Sequence, residues 1–454
     1  MDTPHAPQPS KPAPPFNPSA GHMLRPRLRP VRGFGAQQPD GKVLLGLSDA
    51  RQISDQMVFV SPAVQAILPH MTGEKDIDAI VAEVGRGLSR AILENLIAQL
   101  DHAGLIEGPT FDAILSKMRA EFDSSPRLPP SSTAAIADAL VVQEFGEKAT
   151  DEQKKEHGAR KLREALDGWI KQIMDQAADP SFDALPRAII APHLDYWRGW
   201  PNYAHVYGRM RVVDRPDRVV ILGTNHFGLS TGVAACDKSF ETPLGICEYD
   251  SAFADLVREN LGRDLAGKLF EHRYDHEREH SIELHIPWVQ HIFKGPDGSY
   301  PKVFAALVHD PAPNNGESYD GNGLGILPFI DAMKAAITSA PGRTLIISSA
   351  DLSHIGGSFG DQQTFAGDTD EAKAMRDRMH KHDMEMLQLV AEGKAEELVA
   401  SMAWQQNPTR WCSTGNLVAA MKITGAKEVR MLNYMAAGDD QGVALVSSCA
   451  AAIA

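Results

Sequence analysis

Three features of the sequence predict an α/β protein. From about residue 183, short apolar runs alternate with segments of helical periodicity. Several of those runs end on a histidine or an aspartate. A Pro/Ser-rich stretch at 124–132 (SSPRLPPSS) separates this region from a smaller one with its own strand and helix pattern. The expected architecture is a three-layer α/β domain over residues 183–454, preceded by a small α+β domain over 24–110 and by a linker with connecting helices over 111–182.

Taken in order, residues 1–23 are rich in Pro, Ala and Ser and read as a disordered tail. Strands are expected at 42–47 (KVLLGL) and 57–60 (MVFV), with a polar loop or short helix at 49–56. Ser61-Pro62 reads as a helix N-cap with proline at the first position, opening a helix through Leu68. Two further helices follow at 76–84 and 89–103, the second with Ile92, Leu93, Leu96, Ile97 and Leu100 at three-to-four spacing. Residues 133–178 are helix-prone, with Trp169, Ile170 and Ile173 as an apolar stripe. The large domain offers strands RAIIAP (187–192), RVVILGT (218–224), KVFAALV (302–308) and RTLIISS (343–349), then two final strands at 429–436 and 443–448. Its helices are expected near 203–210, 251–261, 282–293 and 326–338, within 370–402, and after Cys412.

At 454 residues, with 43% hydrophobic and 23% charged content, the chain is a globular protein of about two domains. A net charge of −14 argues against nucleic-acid binding, and no stretch is apolar enough to span a bilayer. The N-terminus lacks an apolar signal core, and four scattered cysteines form neither a disulfide scaffold nor a CxxC pair. Cytoplasmic residence is the expectation.

The polar residues at strand ends carry the chemistry. RAIIAP leads to His193 and Asp195, RVVILGT to His226, KVFAALV to His309, and RTLIISS to Asp351 and His354. Residues after buried strands of an α/β sheet face the crevice where such folds bind ligands. Glu279, His280 and Glu283 come from REHSIELHIP, with His280 and Glu283 three apart and so on one helical face. Cys412, in NPTRWCSTGN, precedes a helix expected at 413–423, a position that suits a thiolate. Imidazole and thiolate together suit iron, copper and zinc. Asp351 and His354 have the spacing for a carboxylate to orient an imidazole. A Cys412–His354 nucleophile pair is compatible in residue types but lacks a supporting local signature. No Gly-rich phosphate loop is present.

The motifs APH (191–193), LGTNH (222–226), TPLG (242–245), EHSIELHIP (279–287), SSADLSH (348–354) and the cysteine of NPTRWCSTGN (407–416) resemble, in order, those of the Memo family, which includes component B of the bacterial AmmeMemoRadiSam system. The resemblance covers roughly 185–450. It implies a fold shared with class III extradiol dioxygenases, and metal positions at His193, His226 and Cys412. It also implies that Asp351 and His354 line the same pocket, and that partners include radical-SAM and AMMECR-like proteins. In those dioxygenases a carboxylate is the third ligand where this chain offers Cys412, so ring cleavage does not transfer with the fold. The N-terminal pattern resembles a PqqD-type winged helix, a peptide-binding module; a helical docking or dimerisation domain is the competing reading. The combined expectation is a metal-dependent redox enzyme using iron or copper, with zinc also suited, on a small or peptide-borne substrate. His354 and Asp351 would be catalytic, with His280 and Glu283 supporting the metal shell. The alternative is a non-catalytic peptide-binding or copper-sequestering scaffold.

Overall fold

The computed structural model describes residues 14–37, 41 and 43–454. The chain divides into two compact units, Met1–Ser125 and Pro126–Ala454. The first contains a helical turn α1 (Gly21–Leu24), strands β1 (Val31–Gln37), β2 (Val43–Asp49) and β3 (Met57–Val60), and helices α2 (Ile77–Val84), α3 (Arg90–His102) and α4 (Pro109–Asp123). The strands form an antiparallel sheet in the order β1-β2-β3. Alternating Leu45 and Leu47 of β2 join Ile77, Ile80, Leu93, Leu96, Ile97 and Leu100 in the core.

Several expectations are corrected here. Of the expected disordered tail, 1–13 lies outside the described residues, but α1 is ordered and buries Met23. Strand β1 was not foreseen, because VRGFGAQ is hardly apolar and is largely exposed. The expected helix from Ser61 to Leu68 is instead two 3₁₀ turns, Pro62–Ala66 and Leu68–His70; Pro62 suits a helix start, but Pro69 lacks an N–H and disfavours the α conformation at Leu68. Ile92, assigned to the apolar stripe of α3, is exposed.

The second unit begins earlier than the sequence suggested. Within the expected linker, β4 (Arg127–Leu128) pairs in parallel with a strand of the large unit. Next come α5 (Ser132–Phe145) and α6 (Asp151–Met174), which pack on each other and into this unit rather than serving as connectors. The succession is then β5 (Ala188–Ala191), α7 (Tyr196–Tyr207), β6 (Arg218–Thr224), β7 (Ala234–Cys236), β8 (Ser239–Thr242), β9 (Gly245–Cys247) and α8 (Ser251–Glu271). It continues with α9 (His280–Glu283), α10 (Ile286–Ile292), β10 (Lys302–Val308), α11 (Ile326–Ser339), β11 (Thr344–Ser349) and β12 (Asp351–Ile355). Last are α12 (Asp370–Ala391), α13 (Ala395–Gln405), α14 (Thr414–Thr424), β13 (Arg430–Gly438) and β14 (Leu445–Ile453).

The main sheet runs β12-β14-β5-β11-β6-β10-β7, with β13 added on β14. Its centre, β5-β11-β6-β10, is parallel, and the flanking strands are antiparallel. Ile190, Val220, Leu222, Phe304 and Ile346 face one side and pack in a core with residues of α8, α11 and α14. The intervening residues, such as Ile189, Val219, Ile221 and Ile347, are equally buried on the other side, where α7 packs against β5, β13 and β14. The result is a three-layer α/β sandwich. Among the described residues, no helix is long and apolar enough to cross a membrane.

Candidate metal centre

Strands β5, β11 and β6 are neighbours, and their carboxyl ends bring His193, Asp351 and His226 to one place. A fourth residue, His280, arrives on the single-turn helix α9, which docks on the end of β6. Ser281 Oγ accepts from Thr224 N at 3.0 Å and lies 3.1 Å from Thr224 O. The approach requires Gly223, where a Cβ would sit 2.5 Å from Ile282 and 2.6 Å from Ser281 Oγ. Asn416 of α14 ties the Cys412 segment to the same strand ends, donating to Ser349 O at 2.6 Å and to Thr224 Oγ1 at 2.9 Å.

The donor atoms of His193, His226 and His280 all lie within 4.8 Å of one another, so the group could hold a metal ion. Cys412 Sγ is 3.3 Å from His193 Nε2. Around a tetrahedral ion with bonds of about 2.1 Å, neighbouring donor atoms stand about 3.4 Å apart, so only a modest closure of the histidines is needed.

Hydrogen bonds fix which nitrogen each ring presents. Ser349 Oγ donates its one proton to Ser281 O at 2.6 Å, so it accepts from His193 Nδ1 at 2.9 Å and leaves His193 Nε2 unprotonated, its lone pair facing the thiol. His226 Nδ1 lies 3.1 Å and 3.2 Å from the two Glu279 oxygens, and His280 Nδ1 lies 3.3 Å from Glu279 Oε1. Such second partners are what metal-ligating histidines carry.

The electrostatics of the metal-free centre agree for two of the three histidines. Burial, then the neighbouring His226, His280 and His354, hold His193 well below its ordinary pKa. Burial also lowers His280, against the pull of Glu279. Both are therefore neutral imidazoles, the ligating form. His226 goes the other way: burial works against its charge, but Glu279 and then Cys412 raise it well above the ordinary value. Glu279, which burial alone would raise, is brought down to about 2 by His226 and His280.

The remaining expected site residues fall differently. Asp351 accepts from His193 N and Leu194 N through Oδ1 (3.1 Å and 3.2 Å), and its Oδ2 stands 3.7 Å from His193 Nε2. Burial raises its carboxyl to about 7. It makes no hydrogen bond to His354, because the two residues lie on a strand, β12, with a bulge between them. Instead, His354 Nδ1 donates to the carbonyls of Leu352 (2.9 Å) and Arg410 (3.0 Å), leaving Nε2 free, and burial lowers its pKa to about 4. Glu283 is turned away from the histidines. It accepts from Ser131 N, Ser132 N, Thr133 N and Thr133 Oγ1 at 2.6–3.1 Å, anchoring the start of α5. His309 is tied by Nε2 to Glu317 O, and Asp195 caps α7 while pairing with Arg198. Glu279 stood out in the sequence only as one of several polar groups; its place immediately before His280 was the signal for its role. A cleft of about 620 Å³ opens at the opposite, amino end of the strands, where Arg218 is already engaged with Asp250, Thr344 and Pro341.

A family model described as Memo-like protein matches residues 156–454. A MEMO1 family protein of Desulfurococcus amylolyticus is 27% identical over 289 residues, covering 62% of this chain and 88% of that protein. One from Methanothermobacter thermautotrophicus is 28% identical over 288 residues, covering 62% and 89%, and one from Methanopyrus kandleri is 28% identical over 259 residues, covering 56% and 77%. With the match running through every strand of the main sheet and all of the clustered donors, the chain belongs to the Memo-like protein family.

Proposed function

We propose that this protein binds one transition-metal ion through His193, His226 and Cys412, with His280 at the same centre, and uses it in redox chemistry on a small or peptide-borne substrate. The observation that carries the reading is the convergence of three imidazoles within 4.8 Å and a thiol 3.3 Å from one of them. Nitrogen donors with a soft sulfur suit copper or iron, and zinc in the same geometry. Bound iron or copper would supply one-electron and oxygen chemistry that no side chain provides.

The chain's own groups handle protons. His354, neutral near pH 7 with its tautomer set by two carbonyls, offers Nε2 as a base. Asp351, with its carboxyl near 7, can hold or release a proton beside His193. Orientation of His354 by Asp351 is replaced by orientation through the backbone. The first unit would present a peptide to this centre, in keeping with the PqqD-like pattern of its sequence, and radical-SAM and AMMECR-like proteins would be its partners.

A copper-sequestering scaffold is the second reading, favoured by His280: if Cys412, beside His193, joined the three clustered histidines, a tetrahedral site would be closed, whereas a catalyst keeps a position open. Metal analysis of protein purified without oxygen should give about one ion per chain, lost in His193→Ala and His226→Ala and retained in His354→Ala. Nitric oxide binding to the iron(II)-loaded protein separates the readings. An adduct requires an open position, and its absence would favour the scaffold. A metal-free protein that takes up no iron, copper or zinc would defeat both.

A further inference from the structure

Cys412 is the donor least secured by regular structure, since it lies on the loop between α13 and α14 rather than at a strand end. The backbone leading to it is strained. Gln406, Asn407 and Arg410 have φ values of 57°, 46° and 60°, a region that costs a side-chain-bearing residue about 1 kcal/mol or more. Such a path persists only where its surroundings hold it. Asn407 closes the turn, accepting from Trp411 N and donating to Trp411 O, both at 2.8 Å. Strand β12 fastens it from the side: His354 N donates to Thr409 O at 2.7 Å, and Arg410 Nε donates to His354 O at 3.0 Å.

Behind both segments sits Asp383 of α12, fully buried. Its Oδ1 accepts from Ser353 Oγ (2.5 Å) and Trp411 Nε1 (2.7 Å), and its Oδ2 accepts from Tyr434 OH (2.7 Å) and Ser447 Oγ (2.5 Å). One carboxyl group thus joins β12, the cysteine loop, β13 and β14. Trp411 directly precedes Cys412, and Ser353 directly precedes His354. For stability alone, a well-packed apolar side chain would serve as well as a buried carboxylate. What the hub adds is a fixed direction for the two residues that follow Trp411 and Ser353.

We propose that Asp383 is a positioning residue for Cys412: through Trp411 Nε1 it holds the strained 406–410 path that aims the sulfur at His193 Nε2. The proposal rests on Cys412 being a metal donor, and its test separates the two claims. Cobalt(II) titrations are run on the full chain and on Asp383→Asn, Asp383→Leu, Trp411→Phe and Cys412→Ser, alone and combined with Cys412→Ser. Thiolate-to-cobalt absorption reports the sulfur bond directly. Asp383→Asn should keep the band, because its amide oxygen still accepts from Trp411 and Ser353 while its nitrogen donates to the hydroxyls of Tyr434 and Ser447. Asp383→Leu and Trp411→Phe should lose the band and bind cobalt about tenfold more weakly or worse. Neither should weaken binding further once Cys412 is serine. Losses that add to that of Cys412→Ser, or Asp383→Leu and Trp411→Phe proteins that keep the band, would overturn the positioning role alone. A Cys412→Ser protein with unchanged affinity and absorption would overturn the donor assignment and the proposal with it. If Asp383→Leu does not fold, Trp411→Phe, which keeps an aromatic ring in place, decides the matter.

Discussion

Glu279→Gln tests whether the carboxylate behind His226 and His280 sets the affinity of the centre. Glu279 is buried, with Oε2 accepting from His226 N at 2.9 Å and Oε1 from Ser281 N at 2.8 Å, and with both oxygens within 3.2 Å of His226 Nδ1. Its pKa of about 2, against an ordinary 4.5, corresponds to about 3 kcal/mol favouring the ionised form. Counted once for the pair, that contribution is present above pH 4.5 and is lost as pH falls through about 2. Glutamine preserves the shape but removes the charge, and whichever way its amide turns, one N–H faces donors that previously met an oxygen. Loss of the charge-assisted bonds is worth about 1.5–3 kcal/mol, or about a 10- to 100-fold loss of metal affinity. Competition titration against a chromophoric chelator reads this directly, with thermal unfolding as a check that the variant is folded. A folded Glu279→Gln protein that binds iron, copper and zinc as tightly as the parent would refute the role given to this carboxylate.

Three further outcomes are expected. Glu283→Ala strands three backbone donors at residues 131–133 and should lower stability by about 2–4 kcal/mol, with protease cleavage appearing near the start of α5; unchanged urea unfolding would remove Glu283 from that anchoring role. Gly228, at φ +82°, has no room for a Cβ, which would lie 2.2 Å from Asp275, the carboxylate that accepts from Leu229 N and Ser230 N beside His226. Gly228→Ala should therefore cost about 2–3 kcal/mol and weaken metal binding, and equal midpoints in paired urea and metal titrations would contradict this. Burial lowers His285 to about 3 from 6.5, so its contribution to stability is present above pH 6.5 and is lost as pH falls toward 3. In metal-free protein, His285→Leu should flatten the acid-side fall in stability by about 1.4 kcal/mol per pH unit between pH 6 and 4; an unaltered slope would mean that His285 takes no part in it.

What could be read from the sequence followed from locality. β5, β6, β10 and β11 announce themselves as short apolar runs with polar ends, because strands buried on both faces have no alternation to hide in. The donors at their ends were visible for the same reason, since the chain itself fixes a strand and the residue that follows it. The helix after Cys412 differs only in detail: α14 starts at Thr414, one residue after the expected start. What failed was everything that depends on which way a side chain turns after the local element is chosen. His280 and Glu283 do share a one-turn helix, yet His280 joins the histidines while Glu283 reaches 131–133, a segment about 150 positions earlier. The three-residue spacing of Asp351 and His354 suggests a carboxylate–imidazole pair, but in SSADLSH the β-type run of β11 barely pauses before β12, and a strand does not bring the two side chains together.

The two units do divide inside SSPRLPPSS, at Ser125–Pro126, but the expectation of unpaired linker chain beyond that point failed for a related reason. Pro and Ser composition marks chain without helix or sheet propensity of its own, but a two-residue strand needs only an edge to pair with, and β8 supplies one. The same argument locates the functional weight of the fold. Three donors or their supports come from strand ends, where geometry is fixed by the parallel sheet, but Cys412 comes from a loop whose φ values are unfavourable. A protein that needed only to pack this loop would relieve it with glycine at 406, 407 or 410. Keeping side chains there, while surrounding Trp411 and Ser353 with a buried four-bond hub, is the pattern expected where the direction of one sulfur atom matters more than the cost of holding it.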